Sequence, residues 1–412
     1  MTRRKVVITG VGIVSALGND MGTFRERLFA GESGVSLLET SGGGQKLALC
    51  AASVHVDMDA HFSKIERLSL DRNSQMALIA AAQAIPERAV LDANRTGVYI
   101  GCAMGGSAQI EATYEDLFIG GQMRVRPMTV INVMANAAAA HIAIKYGLKG
   151  SNVTFSNACS SSSVAIGEAV RAIRHGYLDA AVAGGTEALL VFGSLRGWQA
   201  LGALAPPGTA SNAAAACKPF AEDRTGLVLG EGAGIFMLEA EEVALRRGAE
   251  IVAEVAGYGI HCDASHISHP DVTGQSRSMQ AALADAGASS TRIDYINAHG
   301  TGTRAGDLSE TQAIRAVFGA SPPPVSSTKA AHGHTIGAAG AIETAVCVCA
   351  LQAQRLPPTL NLNHADDACD LDYVPLQARK ASVAYVMSNS FAFGGSNASL
   401  ILRKYPNRAY PQ

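Results

Sequence analysis

The segment NACSSSS, Asn157–Ser163, offers the most reactive side chain in the sequence. Cys159 stands where an apolar run that reads as a buried strand gives way to a run that reads as a helix. A helix N-terminus presents unpaired N–H groups and partial positive charge. Both favour a thiolate, so Cys159 is expected to have a lowered pKa and to act as a nucleophile near neutral pH. Its small Ser and Ala neighbours permit a tight turn that aims a backbone N–H at a developing oxyanion. The same residues also read as a structural cysteine in a serine-rich helix start.

Three further segments supply candidate partners. In NAHGTGTRAGDLSE, Asn297–Glu310, a strand delivers His299 to a Gly/Thr-rich loop that ends at an expected helix start near Asp307. Ligands of open α/β sheets collect at such strand ends. In SSTKAAHGHTIGAAGAIE, Ser326–Glu343, the basic side chains Lys329, His332 and His334 lie in a short loop before an Ala/Gly-rich helix. In SNSFAFGGSNAS, Ser388–Ser399, two phenylalanines and a Gly-Gly pair sit in a turn, where glycine lets backbone approach a ligand. Taken singly, His299 also reads as an ordinary loop histidine and Lys329–His334 as a surface loop. Taken together, one Cys, two or three His and a Lys, each at a strand end, form a Cys/His nucleophilic constellation.

The elements that must position these residues alternate between strand-like and Ala-rich helical runs, the pattern of a parallel α/β sheet. Strands are expected at Val6–Thr9, Val98–Ile100, Val153–Ser156, Ala180–Ala183, Ile235–Glu239, Ile251–Gly257, Tyr295–Ala298, Tyr385–Ser388 and Ser399–Leu402. Helices are expected at Ser74–Ala84, Ser160–His175, Met279–Ala286, Leu308–Phe318 and Gly337–Leu351. The chain also repeats itself. KVVITGVGI near the N-terminus resembles EIVAEVAGYGI at Glu250–Ile260, each reading as a strand that runs into a Gly-x-Gly turn. GAGIFMLEAEE closes the first half and SNASLILRK the second. We read two fused halves, 1–250 with the cysteine and 251–412 with the histidines and lysine, meeting where a shared site would lie.

Composition narrows the function. Of 412 residues 48% are hydrophobic and only 17% charged, which points to extensive burial in a core or a subunit interface. The formal net charge of −2 argues against a broad nucleic-acid surface. Neither a signal peptide nor a membrane span is expected, because glycines break the first apolar run and no other run is long and uncharged enough. The eight scattered cysteines, none in a C-x-x-C, suit a reducing cytoplasm.

Together these residues resemble the β-ketoacyl-acyl-carrier-protein synthases of the thiolase superfamily. ITGVGIVSALGN, KPFAEDRTGLVLGEGAGIFMLE (Lys218–Glu239), NAHGTGT, STK…GHTIGAAG and NSFAFGG are each similar to family signatures and occur in family order. The resemblance implies a thiolase-like α/β fold, two pseudo-symmetric αβαβα halves in five layers, and an elongating enzyme of the Cys-His-His type. It implies that Cys159 takes the acyl chain as a thioester and that His299 and His334 bind the malonyl thioester and promote its decarboxylation. His334 rather than His332 matches the motif. Lys329 would tune the histidines, paired with Glu343 or Glu310, with Asp307 in support. Thr301 and Thr303 would hold the phosphopantetheine arm of an acyl carrier protein. The N–H groups of Cys159 and Phe393 would form the oxyanion hole, while Phe391, Phe393 and Gly394 would shape the gate of the acyl pocket. No metal or redox cofactor is implied. The partners implied are acyl carrier protein and a second subunit, in a homodimer or in a heterodimer with a chain-length-factor-like chain.

Some positions depart from the family pattern. Asn157 stands where Thr is common, and Ala392 where Gly is usual, which puts the swinging of that turn in doubt. Met104 matches a position that shapes the acyl pocket, and Met128 and Thr129 stand where aromatics often floor it. These departures hint at specialised chain selection, in a polyketide or polyene pathway. Lys64, Arg67, Arg72, Arg124 and Arg126 are candidates for a carrier-protein patch or are plain solvated faces. Gly10-Val11-Gly12 mimics a dinucleotide fingerprint but lacks its acidic partner. His261, Cys262, His266 and His269 are metal-like in type but not in spacing. The rival reading is a non-catalytic chain-length-factor-like subunit, which the presence of Cys159 opposes.

Overall fold

A computed structural model of the chain describes residues 3–86 and 91–406. Ten strands form one sheet: β1 (Val6–Val14), β2 (Thr96–Gly101), β3 (Asn152–Phe155), β4 (Ala180–Glu187), β5 (Gly232–Ala240), β6 (Ala253–Cys262), β7 (Tyr295–Asn297), β8 (Val325–Ser326), β9 (Tyr385–Phe391) and β10 (Ser396–Arg403). Their order across the sheet is β8-β7-β9-β10-β6-β1-β5-β4-β2-β3. Counted within its own half, each set of strands runs 3-2-4-5-1, and the two sets meet at their first strands. There β1 and β6 pair antiparallel, Val7 opposite Glu254 and Ile8 opposite Ala253. The pairing directions repeat as well. In each half the second strand runs parallel to the third and fourth, and the fifth runs antiparallel to the fourth and first. The repeat legible in the sequence is therefore a real internal symmetry, and the fold is thiolase-like.

Helices cover both faces. The main ones are α1 (Arg72–Ala84), α2 (Ser161–Arg174), α3 (Phe192–Ala200), α4 (Val272–Ala286), α5 (Arg304–Phe318) and α6 (Ala339–Ala353). Helices α2 and α6 pack on each other and on strands of both halves, forming the central layer, while α1 and α4 lie on the outer faces of their own halves. Helix α6 is apolar on all sides because it is buried on all sides. The stretch Ile336–Ala353 has the length and mean hydropathy, 1.6, of a membrane span, but 89% of it is buried inside the protein.

Three expectations need correction. The Gly-x-Gly pairs are not turns: Gly10 and Gly12 lie inside β1, and Gly257 and Gly259 inside β6. A Cβ on Gly10 or Gly12 would lie 1.9 or 1.8 Å from a carbonyl oxygen of α1, and one on Gly257 or Gly259 would lie 2.4 or 2.1 Å from one of α4. The glycines bring an outer helix against the sheet in each half, which is the physical content of the dinucleotide-like signature. Helix α4 begins seven residues before the expected Met279, with Asp271 capping it through Gly274 N–H. Helix α5 begins at Arg304 rather than near Asp307, whose carboxylate turns back into the preceding loop. Gly274 and Gly306 weaken the helical signal in those first turns.

Candidate active site

Strand β3 ends at Phe155, and the chain reverses into α2 through a single turn of 3-10 helix, Ala158–Ser160. Ala158 takes φ +46°, a left-handed conformation rare for a residue with a Cβ. A small residue tolerates this best, and the result is to turn the Cys159 thiol toward the second half. In that half, β7 ends at Asn297 and delivers His299. The Glu310 carboxylate, from α5, accepts N–H bonds from His299 (2.9 Å) and Gly300 (2.7 Å), with Asn389 Nδ2 at 3.3 Å. His334 lies between a short helix, Lys329–His332, and α6. Its backbone is clamped to Val228 O (2.7 Å) and Gly230 N–H (3.0 Å).

These elements bring the two halves' residues into contact. His334 Nε2 lies 3.0 Å from Cys159 Sγ, and the rings of His299 and His334 meet edge to face with centroids 5.2 Å apart. Donor atoms of Cys159, His299 and His334 all lie within 4.8 Å of one another. All three residues are buried. They open into a cavity of about 420 Å³ that Thr301, Thr303, Phe391 and Phe393 also line.

Burial and one cation set the electrostatics. Desolvation, reinforced by the Lys329 charge, holds both His299 and His334 well below the usual imidazole pKa, so both are neutral at pH 7. Lys329 is itself fully buried and paired with Glu343, not Glu310. Burial pushes the Glu343 carboxyl up while the Lys329 ammonium draws it back. The thiol departs from expectation. Burial pushes Cys159 up to about 12, against the opposing pull of Lys329 and of the N–H groups of Phe393 and Cys159. Desolvation outweighs the helix terminus, so the resting group is a thiol hydrogen-bonded to a neutral imidazole.

The other expected residues divide. Thr301 and Thr303 face the cavity with their hydroxyls 3.0 Å apart. Asp307 supports them from behind, accepting N–H bonds from Gly302 (3.1 Å) and Phe220 (2.7 Å) beside Arg224. Phe391 lies against His299, and Ala392 takes φ −111° with ψ 151°, where its Cβ costs nothing. Gly394 supplies a left-handed turn, φ +82°, but it is Gly395 that lines the cavity. Met104 and Thr129 do not line it: Met104 borders a separate apolar groove with Phe118 and Phe192, and Thr129 is buried in a short helix, Thr129–Val133. His332 is turned away, bonded to Thr328 and the Gly333 carbonyl. His266 and His269 touch each other at the cavity rim, and Arg67 and Arg72 are committed to Asp59 and Glu231. Sequence reasoning missed Trp198, Leu227 and Ile267 as lining residues. Only Trp198, the sole tryptophan, gave a signal.

A family model described as "Beta-ketoacyl synthase, N-terminal domain" matches residues 3–244, and one described as "Beta-ketoacyl synthase, C-terminal domain" matches residues 252–363. The chain is 41% identical to Nodulation protein E of Rhizobium meliloti (strain 1021), over 97% of this chain and 99% of that protein. It is 39% identical to 3-oxoacyl-[acyl-carrier-protein] synthase 2 of Staphylococcus aureus (strain COL), over 98% of this chain and 99% of that protein. Among solved structures, the ishigamide ketosynthase/chain length factor superposes with a TM-score of 0.90 at 35% identity, covering 98% of this chain and all of that one.

Proposed function

The chain belongs to the β-ketoacyl synthase family, and on that footing we propose how its Cys-His-His site makes a carbon–carbon bond. The enzyme is a condensing acyltransferase that extends an acyl chain in fatty acid or related polyketide synthesis. The observation that carries the mechanism is the 3.0 Å contact between Cys159 Sγ and a neutral His334, inside an apolar cavity that also holds His299.

Catalysis begins with acyl transfer. Cys159 Sγ attacks the thioester carbonyl of an acylated carrier while His334 Nε2 takes the thiol proton. The carbonyl oxygen becomes an oxyanion facing the N–H groups of Cys159 and Phe393. Collapse expels the carrier thiolate, which leaves with that proton, and the chain remains on Cys159 as a thioester. A malonyl thioester then binds with its carbonyl oxygen toward His299 and His334. Its carboxylate departs as CO₂, and the electron pair of the broken C–C bond forms an enolate that the imidazole N–H groups stabilise, His334 acting in this step as its Nε2–H tautomer. Two neutral imidazoles suit this task better than imidazolium ions, since they donate hydrogen bonds without protonating the carbanion. The enolate carbon attacks the acyl carbonyl, the same N–H pair takes the second oxyanion, and its collapse expels the Cys159 sulfur as a thiolate, which takes up one proton from solvent to restore the resting thiol. The driving force is loss of CO₂, so the reaction as derived calls on no metal or redox cofactor.

Thr301 and Thr303, at the cavity wall, would hydrogen-bond the amides of a phosphopantetheine arm, with acyl carrier protein as the partner. The carrier in the name of the Staphylococcus relative agrees with this. The short apolar groove and the exposed side chains between Met104 and Met134, among them Phe118, Met123, Val130 and Ile131, support a dimer. It is a homodimer or a pairing with a chain-length-factor-like subunit. Eight free cysteines suit a cytoplasmic setting. Loading the protein with a panel of acyl carrier proteins and weighing the Cys159 peptide tests the reading. An acyl adduct that malonyl carrier protein discharges as a 3-oxoacyl product supports it, and an inert Cys159 refutes it.

A further inference from the structure

The turn Ala392–Ser396 carries the oxyanion donor, and its backbone accounting is lopsided. Ala392 N–H donates to Ser396 O (3.2 Å), Gly394 N–H to Ile267 O (2.7 Å) and Gly395 N–H to Ala392 O (3.0 Å). Phe393 N–H is left for the cavity, where it faces Cys159 Sγ. The Gly395 end of the turn is held by Asp263 N–H on Gly395 O (3.0 Å), but no such bond fixes the Phe393 side chain. Gly394 and Gly395 both take positive φ, and a Cβ on Gly394 would meet nothing within 4 Å. The Phe393 ring is itself 37% exposed. What the ring does touch is Trp198, stacked on it at 6.0 Å between centroids and 23° between planes. Trp198 projects from α3 and packs against the apolar cluster that contains Cys159, Leu195 and Leu227. The indole therefore packs on the nucleophile's own apolar cluster and also stacks on the turn's aromatic ring.

We propose that Trp198 is a positioning residue for acyl transfer: by stacking on Phe393 it fixes the turn so that the Phe393 N–H points at the oxyanion rather than away from it. The inference rests on the synthase reading above and adds a residue that its chemistry does not itself require. Because the indole touches the donor's side chain, its loss should lower the rate of steps that build an oxyanion more than steps that need only the Cys159 thiolate. Acyl transfer builds one. Alkylation of Cys159 by iodoacetamide does not.

The test compares wild type with Trp198→Ala, Trp198→Leu and Trp198→Phe, measuring single-turnover acylation by acyl carrier protein and iodoacetamide alkylation of Cys159. Full removal of an oxyanion donor costs about 100- to 1000-fold, and a loosened donor should cost about tenfold. We expect the Ala and Leu variants to lose about that in the saturating acylation rate, with KM within about threefold, while alkylation, which loses only the support that the Phe393 N–H gives the thiolate, falls clearly less than acylation. Trp198→Phe, which keeps a ring to stack, should return to near the wild-type rate. Wild-type acylation in both the Ala and Leu variants overturns the proposal. So does an equal loss of acylation and alkylation, which marks general collapse of the wall, or a change confined to KM, which marks a chain-binding surface. A wild-type protein that is not acylated at all sinks the synthase reading instead.

Discussion

Burial and charge act in opposite directions on Cys159, and burial prevails. An ordinary cysteine titrates near about 8.5. With its pKa raised, Cys159 gains thiolate only as pH climbs, so its alkylation rate is expected to keep rising through about pH 10 in stopped-flow assays, with no plateau near neutrality. A plateau at about pH 7 would show that the helix terminus governs after all. The histidine shifts run the other way. Both imidazoles are neutral above their lowered pKa values, so condensation should not fall as pH drops from about 7.5 to 6.5, across the range where an unperturbed histidine protonates. Cys159→Ala should abolish acyl transfer. In a Cys159→Gln background, which mimics the neutral acylated state, His299→Ala should cut CO₂ release from malonyl carrier protein by about 100-fold or more, and unchanged release would remove His299 from that role. Residue types and order made Cys159, His299, His334 and Lys329 legible. The sign of the thiol's shift was not, because it depends on how completely the other half of the chain covers the sulfur.

The elements behind the site hold it by buried charge. Lys329 and Glu343 are both fully enclosed, one on the short helix before His334 and one in α6. Removing one partner of such a pair typically costs about 3–5 kcal/mol, because the other is left uncompensated. Glu343→Ala should therefore lower the urea midpoint markedly, whereas the double change Lys329→Met with Glu343→Leu should recover most of the stability and none of the condensation. Recovery of activity in the double variant would mean that the pair only packs. Glu310 acts differently: it ties the His299–Gly300 backbone to α5, so Glu310→Ala should misplace His299 more than it destabilises the fold. Strand and helix positions were readable from apolar runs, but the early starts of α4 and α5 were hidden by Gly274 and Gly306. The partner of Lys329 could not be chosen from sequence, where Glu310 and Glu343 are equally near a candidate loop. Topology decides it, since α5 places Glu310 against the His299–Gly300 backbone, where Asn389 of β9 also meets it.

At the scale of the molecule, two halves with the same strand order share one sheet and one site, the nucleophile from the first and both imidazoles from the second. The repeated Gly-x-Gly strands made that symmetry visible, although their glycines serve helix packing rather than turns. What no periodicity could show is which surfaces remain uncovered. Exposed apolar side chains gather around Phe118 and Met123, between Met104 and Met134. Light scattering at micromolar concentration should return a dimer, and Phe118→Arg should weaken it; a stable wild-type monomer would contradict this. Intact-protein mass spectrometry bears most directly on the condensation itself. Wild type and Cys159→Ala are incubated with acyl carrier protein and then with malonyl carrier protein. The wild type should gain one acyl mass on the Cys159 peptide and lose it in step with CO₂ and 3-oxoacyl product, with neither event in the variant. Product from Cys159→Ala, or product from wild type with no adduct ever on Cys159, would overturn the thioester route.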